Sequence, residues 1–391
     1  MPRKRANSEG TVYQRKDGTW CGQLVIAWED DKPRRVTYYG RTKKEVLDKL
    51  TQAKAELQQG TFVEPTRLTF GEWLQVWLEE YKKPAVRPST WASYEQTIRN
   101  HLQPALGHVP LQQLRPEQLQ RLYNQKLTQG LSNRTVHLIH TVAHTALKQA
   151  VKNGLVGRNV AEATSPPGIR KREIRVLSLE EQHRFLEAAK GERLYPAFLL
   201  ALASGLRLGE LLGLRWQDVD WQRGGISVNQ ALQRVRGKKG ERSYLGFLPP
   251  KTKAGRRFIP LPEEALKALR KWKATQAEEK LAAGPLWEEH GLVFTSAEGR
   301  PIDPRNFLRV FYRIIEKAGV EHFNFHALRH TFATRLLELG EHPKVVQELL
   351  GDSQITVVLD TYSHVLPNIK EQAAARLNEI LLPRHKNEKT T

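Results

Sequence analysis

Residues 203–216 read ASGLRLGELLGLRW, residues 326–334 read HALRHTFAT and residues 350–365 read LGDSQITVVLDTYSHV. In the first stretch Ser204-Gly205 makes a turn, and Arg207 stands where the chain enters a helix. In the second, His326, Arg329 and His330 fall near the start of another helix. In the third, Tyr362 stands close to the end of an apolar helical pattern, ahead of Pro367. Taken singly, each has an ordinary reading: a solvated helix start, an exposed helix face, and a half-buried packing tyrosine. Their meaning comes from occurring in this order within one domain.

Around these stretches the pattern is mixed. Ser178 and Glu181 have capping-box spacing and open the first helix of the domain. Helices are expected near 179–190, 194–203 and 207–213, strands near 226–235, 243–249 and 256–261, and helices again through 262–280, 304–318, 327–339, 343–350 and 354–362. This is an α+β order, a helical body with a small antiparallel sheet, and not a doubly wound nucleotide-binding sheet. Immediately upstream, ATSPPGIRKREIR (163–175) is rich in Pro and basic residues and lacks periodicity, as suits a linker that tracks a DNA backbone.

Residues 68–155 read as all helix, and hence as a compact bundle. Thr69 with Glu72 opens one helix, Pro88-Ser89 a second, Pro116 a third and Ser132 a fourth that Gly154 ends. His137, His140 and His144 share roughly one face of the last helix. With no carboxylate or thiol near them in sequence, they read as a polar or phosphate-facing stripe rather than a metal site. Residues 11–40 alternate like three short strands parted by turns, and a helix follows from Thr42, with Val46, Leu50, Ala53 and Leu57 as its apolar stripe. A small basic module of three strands and a helix suits DNA binding. The chain is thus multidomain and mainly α, with small antiparallel sheets.

Composition names the class of partner. Lys and Arg number 62 against 42 Asp and Glu, a formal charge of +20, and the basic residues cluster at Arg3-Lys4-Arg5, Arg170-Lys171-Arg172 and from Lys251 to Arg257. Such an excess marks a polyanion partner and salt-sensitive binding. Cys21 is the only cysteine, so neither an intramolecular disulfide nor a cysteine-based zinc site is available. The start MPRKRANSEG has no apolar stretch behind it, and no run of about 18 apolar residues occurs. A soluble intracellular protein that sits on nucleic acid is expected, with no membrane partner.

The ordered set resembles the tyrosine recombinases of the phage-integrase type, which use Arg, then Lys on a β-hairpin, then His-x-x-Arg, then His or Trp, then Tyr. The matching positions here are Arg207, Lys251, His326 with Arg329, Asp352 and Tyr362. The resemblance covers nearly the whole chain. Residues 1–62 look like an N-terminal arm-type DNA-binding domain, 68–155 like a helical core-binding (SAM-like) domain and 173–378 like the catalytic domain, with 379–391 a basic tail. It implies a site-specific recombinase that cuts and rejoins DNA through a 3′-phosphotyrosyl intermediate and integrates or excises a prophage or conjugative transposon. It further implies double-stranded attachment sites, a homotetramer on paired sites, DNA-bending proteins and an excision factor as partners, and work in the bacterial cytoplasm at the nucleoid.

The chemistry explains these residue types. Two guanidiniums can neutralise the non-bridging oxygens of a pentacovalent phosphate through fixed-geometry hydrogen bonds, so the resemblance implies no metal and no cofactor. Tyr362, with an ordinary pKa near 10, needs neighbouring positive charge and a base to become a nucleophile. Lys251 would protonate the leaving 5′-oxygen; Lys253, two residues on, is the competing choice. His326 would contact phosphate and handle protons, while His330 packs or orients. HALRH lacks the Glu of a zinc-protease HExxH motif. Glu210, one turn after Arg207, would support the constellation by hydrogen bonding. Asp352 departs from the family's His or Trp: a carboxylate there either points away and orients an arginine or weakens the site. Residues 367–382 carry Ile369, Ala373, Leu377 and Leu381 at helical spacing, a terminal helix expected to dock on a neighbouring subunit. A non-catalytic DNA-binding regulator on the same scaffold and a type IB topoisomerase are the rival readings.

Overall fold

A computed structural model describes residues 11–58, 62–169, 174–235, 243–250 and 253–362, together with 377 and 381. The chain divides into two compact units, 1–171 and 172–391. The first holds both the strand-rich module and the helical bundle. Strands β1 (Thr11–Gln14), β2 (Trp20–Glu29) and β3 (Lys32–Gly40) form an antiparallel sheet in that order. Asp30 and Asp31 turn β2 into β3 at φ of 48° and 60°, a left-handed pair that Asp tolerates. Helix α1 (Lys43–Gln58) lays Val46, Leu50 and Ala53 against Leu24 of the sheet.

In the bundle, Thr69 and Glu72 make the expected reciprocal cap at the start of α2 (Phe70–Val76), which runs into a π-helical turn at Trp77–Lys82. Helix α3 (Pro88–Thr97) continues through a second π turn, Ile98–Leu102, into α4 (Gln103–Leu106). Helices α5 (Pro116–Thr128) and α6 (Asn133–Lys152) complete it, around buried Trp73, Trp77, Ile98, Leu119, Tyr123, Ile139 and Leu147. The Trp73 indole N–H donates to the Ala146 carbonyl at 2.9 Å, so this buried ring also satisfies its polar atom. The histidine stripe of α6 is half-buried within this bundle. His140 Nδ1 lies 3.3 Å from the Tyr123 hydroxyl and 3.4 Å from Thr164 Oγ1, and His144 Nε2 lies 3.7 Å from Glu162.

The second unit opens with α7 (Leu179–Ala189), capped by Ser178 and Glu181, then α8 (Tyr195–Ser204) and α9 (Leu208–Leu212). The strand expected over 226–235 is in fact two. β5 (Gly225–Val228) sits between β4 (Val219–Asp220) and β8 (Arg257–Pro260), whereas β6 (Ala231–Val235) pairs, among the described residues, with β7 (Tyr244–Leu248) alone, so two small sheets replace one. The break falls at Asn229-Gln230, whose side chains donate to Asp218 Oδ1 at 2.8 Å and the Gly213 carbonyl at 2.9 Å. Those side-chain bonds bend the chain out of one sheet and into the next. Helices α10 (Glu263–Ala283), α11 (Pro304–Ala318), α12 (His326–Glu338), α13 (Pro343–Leu350) and α14 (Ile355–Tyr362) follow. A cluster of Phe185, Phe198, Phe307, Phe311, Phe323 and Phe325 joins α7, α8 and α11 at the start of α12. No helix among the described residues is long and apolar enough to cross a membrane.

Candidate active site

Four backbone features of the second unit aim charged side chains at one place. Gly205 ends α8 in the left-handed region (φ 61°), which reverses the chain and leaves Arg207 as the residue before the first turn of α9. Arg329 lies in the first turn of α12. Gly351 ends α13, also left-handed (φ 66°), and presents Asp352. Arg257 begins β8 on the same strand face as buried Ile259.

These side chains form one ionic network. Asp352 Oδ1 accepts from Arg207 Nη2 at 2.7 Å and from Arg329 Nη2 at 2.8 Å, so two guanidiniums far apart in sequence meet at one oxygen. Arg329 Nη1 donates to the Gly205 carbonyl at 3.0 Å. Glu210 accepts from the Arg207 backbone N–H at 3.1 Å, from Arg207 Nη1 at 2.9 Å and from Arg257 Nη2 at 2.9 Å. Arg257 Nε donates to the Leu349 carbonyl at 2.6 Å, tying β8 to the end of α13. Asp352, expected either to point away and orient an arginine or to weaken the site, thus does not point away: its carboxylate is paired with both arginines.

Electrostatics follow from burial. Burial, then the neighbouring Arg207, pulls Arg329 down to about 10, still far above neutral pH, so it stays charged. Burial alone would raise the Glu210 carboxyl, but Arg257 and Arg207 outweigh it and hold the group below its ordinary value. His326 is lowered by burial and then by Arg329 and Arg207, leaving a neutral imidazole able to accept a proton. His330, its ring edge-on to His326 at 4.6 Å between centroids, is pushed down to about 4 by burial and then by His326. It packs rather than titrates near neutrality.

Of the residues expected at the site, Arg207, His326, Arg329 and Asp352 come together here. Tyr362 closes α14, a helix anchored by buried Val358 against Ala333, Leu337, Val346 and Leu350. Lys251 lies outside the described residues, as does most of the terminal helix expected over 367–382, of which Leu377 and Leu381 are described, both exposed. Among the described residues no three His, Cys, Asp or Glu side chains gather to hold a metal ion. Arg257 escaped the sequence reading because it sits in a basic cluster. Its signal was parity: two residues before Ile259, it must point to the core face of its strand.

Gly205 is tightly constrained in this arrangement. An added Cβ would meet Phe332 Cδ1 at 2.6 Å, on a backbone that side chains rarely adopt. Gly205→Ala is expected to cost about 1–3 kcal/mol in urea unfolding. A variant as stable as the wild type would show that Phe332 and the turn yield freely.

Residues 175–368 match the model of the phage integrase family, and residues 69–127 match its N-terminal SAM-like domain. A tyrosine recombinase XerC-like protein of Caldanaerobacter subterraneus is 35% identical over 90% of this chain and 94% of its own. An integrase of Saccharopolyspora erythraea is 30% identical over 97% of this chain and 98% of its own. Among solved structures, the fold is similar to the Tn1549 transposon integrase in complex with a circular intermediate DNA (TM-score 0.65, 23% identity, 79% of this chain and 99% of that one). It is also similar to a lambda integrase dimer bound to a core site (TM-score 0.56, 20% identity, 93% and 96%).

Proposed function

The chain belongs to the phage integrase family of tyrosine recombinases, and from that premise we propose how its residues carry out recombination. The enzyme is a site-specific recombinase, the integrase of a mobile element. The observation that carries the mechanism is the convergence of Arg207 and Arg329 on a single oxygen. Two guanidiniums so placed can hold a scissile phosphate and offset the charge that builds on its non-bridging oxygens. Tyr362 attacks phosphorus and its phenolic oxygen forms the new P–O bond, while the bond to the 5′-oxygen breaks. Neutral His326 takes the phenol proton, and Lys251 supplies a proton to the departing 5′-oxygen. The phosphodiester is conserved as a 3′-phosphotyrosyl bond, so a second 5′-hydroxyl can reverse the step without ATP.

The modules divide the remaining work. Residues 1–62 contact arm-type sites, 68–155 grip the core site, and 173–378 cut, with 379–391 as a basic tail. Recombining two duplexes requires four cuts, hence four active sites, which a homotetramer on paired attachment sites supplies, with DNA-bending proteins and an excision factor setting direction. The work is done in the cytoplasm on nucleoid DNA.

A nicked suicide substrate tests the reading. The wild-type protein should accumulate a covalent DNA adduct whose peptide map ends at Tyr362, and should do so undiminished in EDTA, because Arg207 and Arg329 supply the charge. A protein that binds the site and forms no adduct is a regulator on this scaffold. A strict magnesium requirement would overturn the role given to the arginines.

A further inference from the structure

The two arginines of the clamp already carry an anion. One carboxylate oxygen, Asp352 Oδ1, is seated on Arg207 Nη2 at 2.7 Å and on Arg329 Nη2 at 2.8 Å. A phosphodiester oxygen would use the same donors, since an anionic oxygen between two guanidiniums is what this geometry selects. The Arg329 side chain is only 3% exposed. One of its terminal nitrogens donates to the Gly205 carbonyl and the other to Asp352. A phosphate oxygen that takes the Nη2 seat between the two arginines therefore displaces Asp352 from it.

The carboxylate also answers a need of the DNA-free chain. Two guanidiniums held this close repel, and Arg207 is one of the causes that lower Arg329. Asp352 offsets that repulsion when no phosphate is present. The backbone of Asp352 is fixed at both polar atoms, its N–H on the Gln347 carbonyl at 3.2 Å and its own carbonyl on Gln347 Nε2 at 2.9 Å. Departure from the clamp is thus a rotation of a short side chain and needs no movement of the loop.

We propose that the Asp352 carboxylate is a built-in surrogate for the scissile phosphate: it fills the oxyanion seat between Arg207 and Arg329 in the DNA-free protein and is displaced by the incoming phosphodiester. The proposal rests on reading the two arginines as the phosphate clamp. Its consequence is selectivity. A lone anion must compete with a tethered carboxylate, whereas a phosphate delivered by a DNA duplex bound along the rest of the chain arrives at high effective concentration. The clamp is self-blocked off DNA and opens at an engaged site.

The test uses the full chain and inorganic tungstate, a tetrahedral oxyanion, titrated by thermal shift and calorimetry. Asp352→Ala should lower the half-saturating tungstate concentration by at least about tenfold, the scale of one charge-assisted hydrogen bond. Asp352→Asn, which keeps the oxygen but loses the charge, should fall between it and the wild type and serves as the reading should the Ala variant not fold. The gain should vanish in R207A/D352A. Equal half-saturation in the wild type and the Asp352 variants overturns the proposal, as does a gain that survives loss of Arg207. Tungstate binding needs neither Tyr362 nor DNA. A failed covalent trap beside an intact tungstate gain therefore counts against the cleavage reading alone, and the converse against the surrogate alone.

Discussion

Tyr362→Phe is expected to abolish covalent capture of DNA, lowering the cleavage rate on the order of 10⁴-fold or more, as loss of a nucleophile does. Affinity for the uncut site should stay within about twofold, because grip comes from phosphate contacts spread over a chain of charge +20. The substitution removes one oxygen and leaves the ring. It should not unfold α14, whose attachment is the burial of Val358 in the small cluster with Ala333, Leu337, Val346 and Leu350. Rate measurements on a nicked substrate, paired with binding at fixed salt, separate the two effects. A Phe variant that still forms adduct would move the nucleophile elsewhere. One that loses binding in parallel would make Tyr362 a contact residue instead.

The second large effect is expected at Glu210. Its side chain is 6% exposed and faces Arg257, itself 5% exposed, with Arg207 on its other oxygen. Removing one partner of a buried ion pair strands the other, so Glu210→Gln should destabilise the catalytic unit by about 3–5 kcal/mol. Urea unfolding measures this. Cleavage at temperatures where the variant is folded should also fall, because Arg207 loses one of the two carboxylates that position it and Arg257 loses its charged partner at the Arg207 turn.

The pH dependence has a definite sign. The folded-state value of Glu210 lies below its ordinary one, so its stabilisation is complete above about pH 4.3, the unfolded value, and is lost as pH falls through the folded value. The gap between wild type and E210Q should therefore close in strong acid and persist at neutral pH. The buried histidines act earlier. His330 and His326 bind protons better when unfolded, so stability declines from about pH 6.5 downward, the His330 share ending near pH 4. An E210Q variant as stable as the wild type at pH 7 would mean that water replaces the carboxylate without loss.

How much of this was legible beforehand differs by element. The capping pairs Thr69–Glu72 and Ser178–Glu181, the prolines opening α3 and α5, and the apolar stripes of α1 and α6 are local signals, readable because each depends on residues within two turns. The order Arg207, His326, Arg329, Tyr362 pointed to a candidate site because the proposed chemistry needs those groups whatever holds them. The break between β5 and β6 at Asn229-Gln230 was not legible. The strand pattern runs on through it, and the break is made by side-chain bonds to Asp218 and Gly213, partners more than ten residues away.

By itself, the sequence determined the class of partner and the helix and strand periods, and it supplied the candidate reacting groups, since charge, period and functional group are properties of residues. Only the tertiary structure decided what those groups do to one another. Asp352 reads as a defect in a motif until the fold places its oxygen on both arginines. Arg257 reads as one more surface cation until strand β8 turns it inward against Glu210. Both outcomes depend on distances between side chains far apart in the chain, and at such separations no sequence period constrains geometry; burial and charge pairing do.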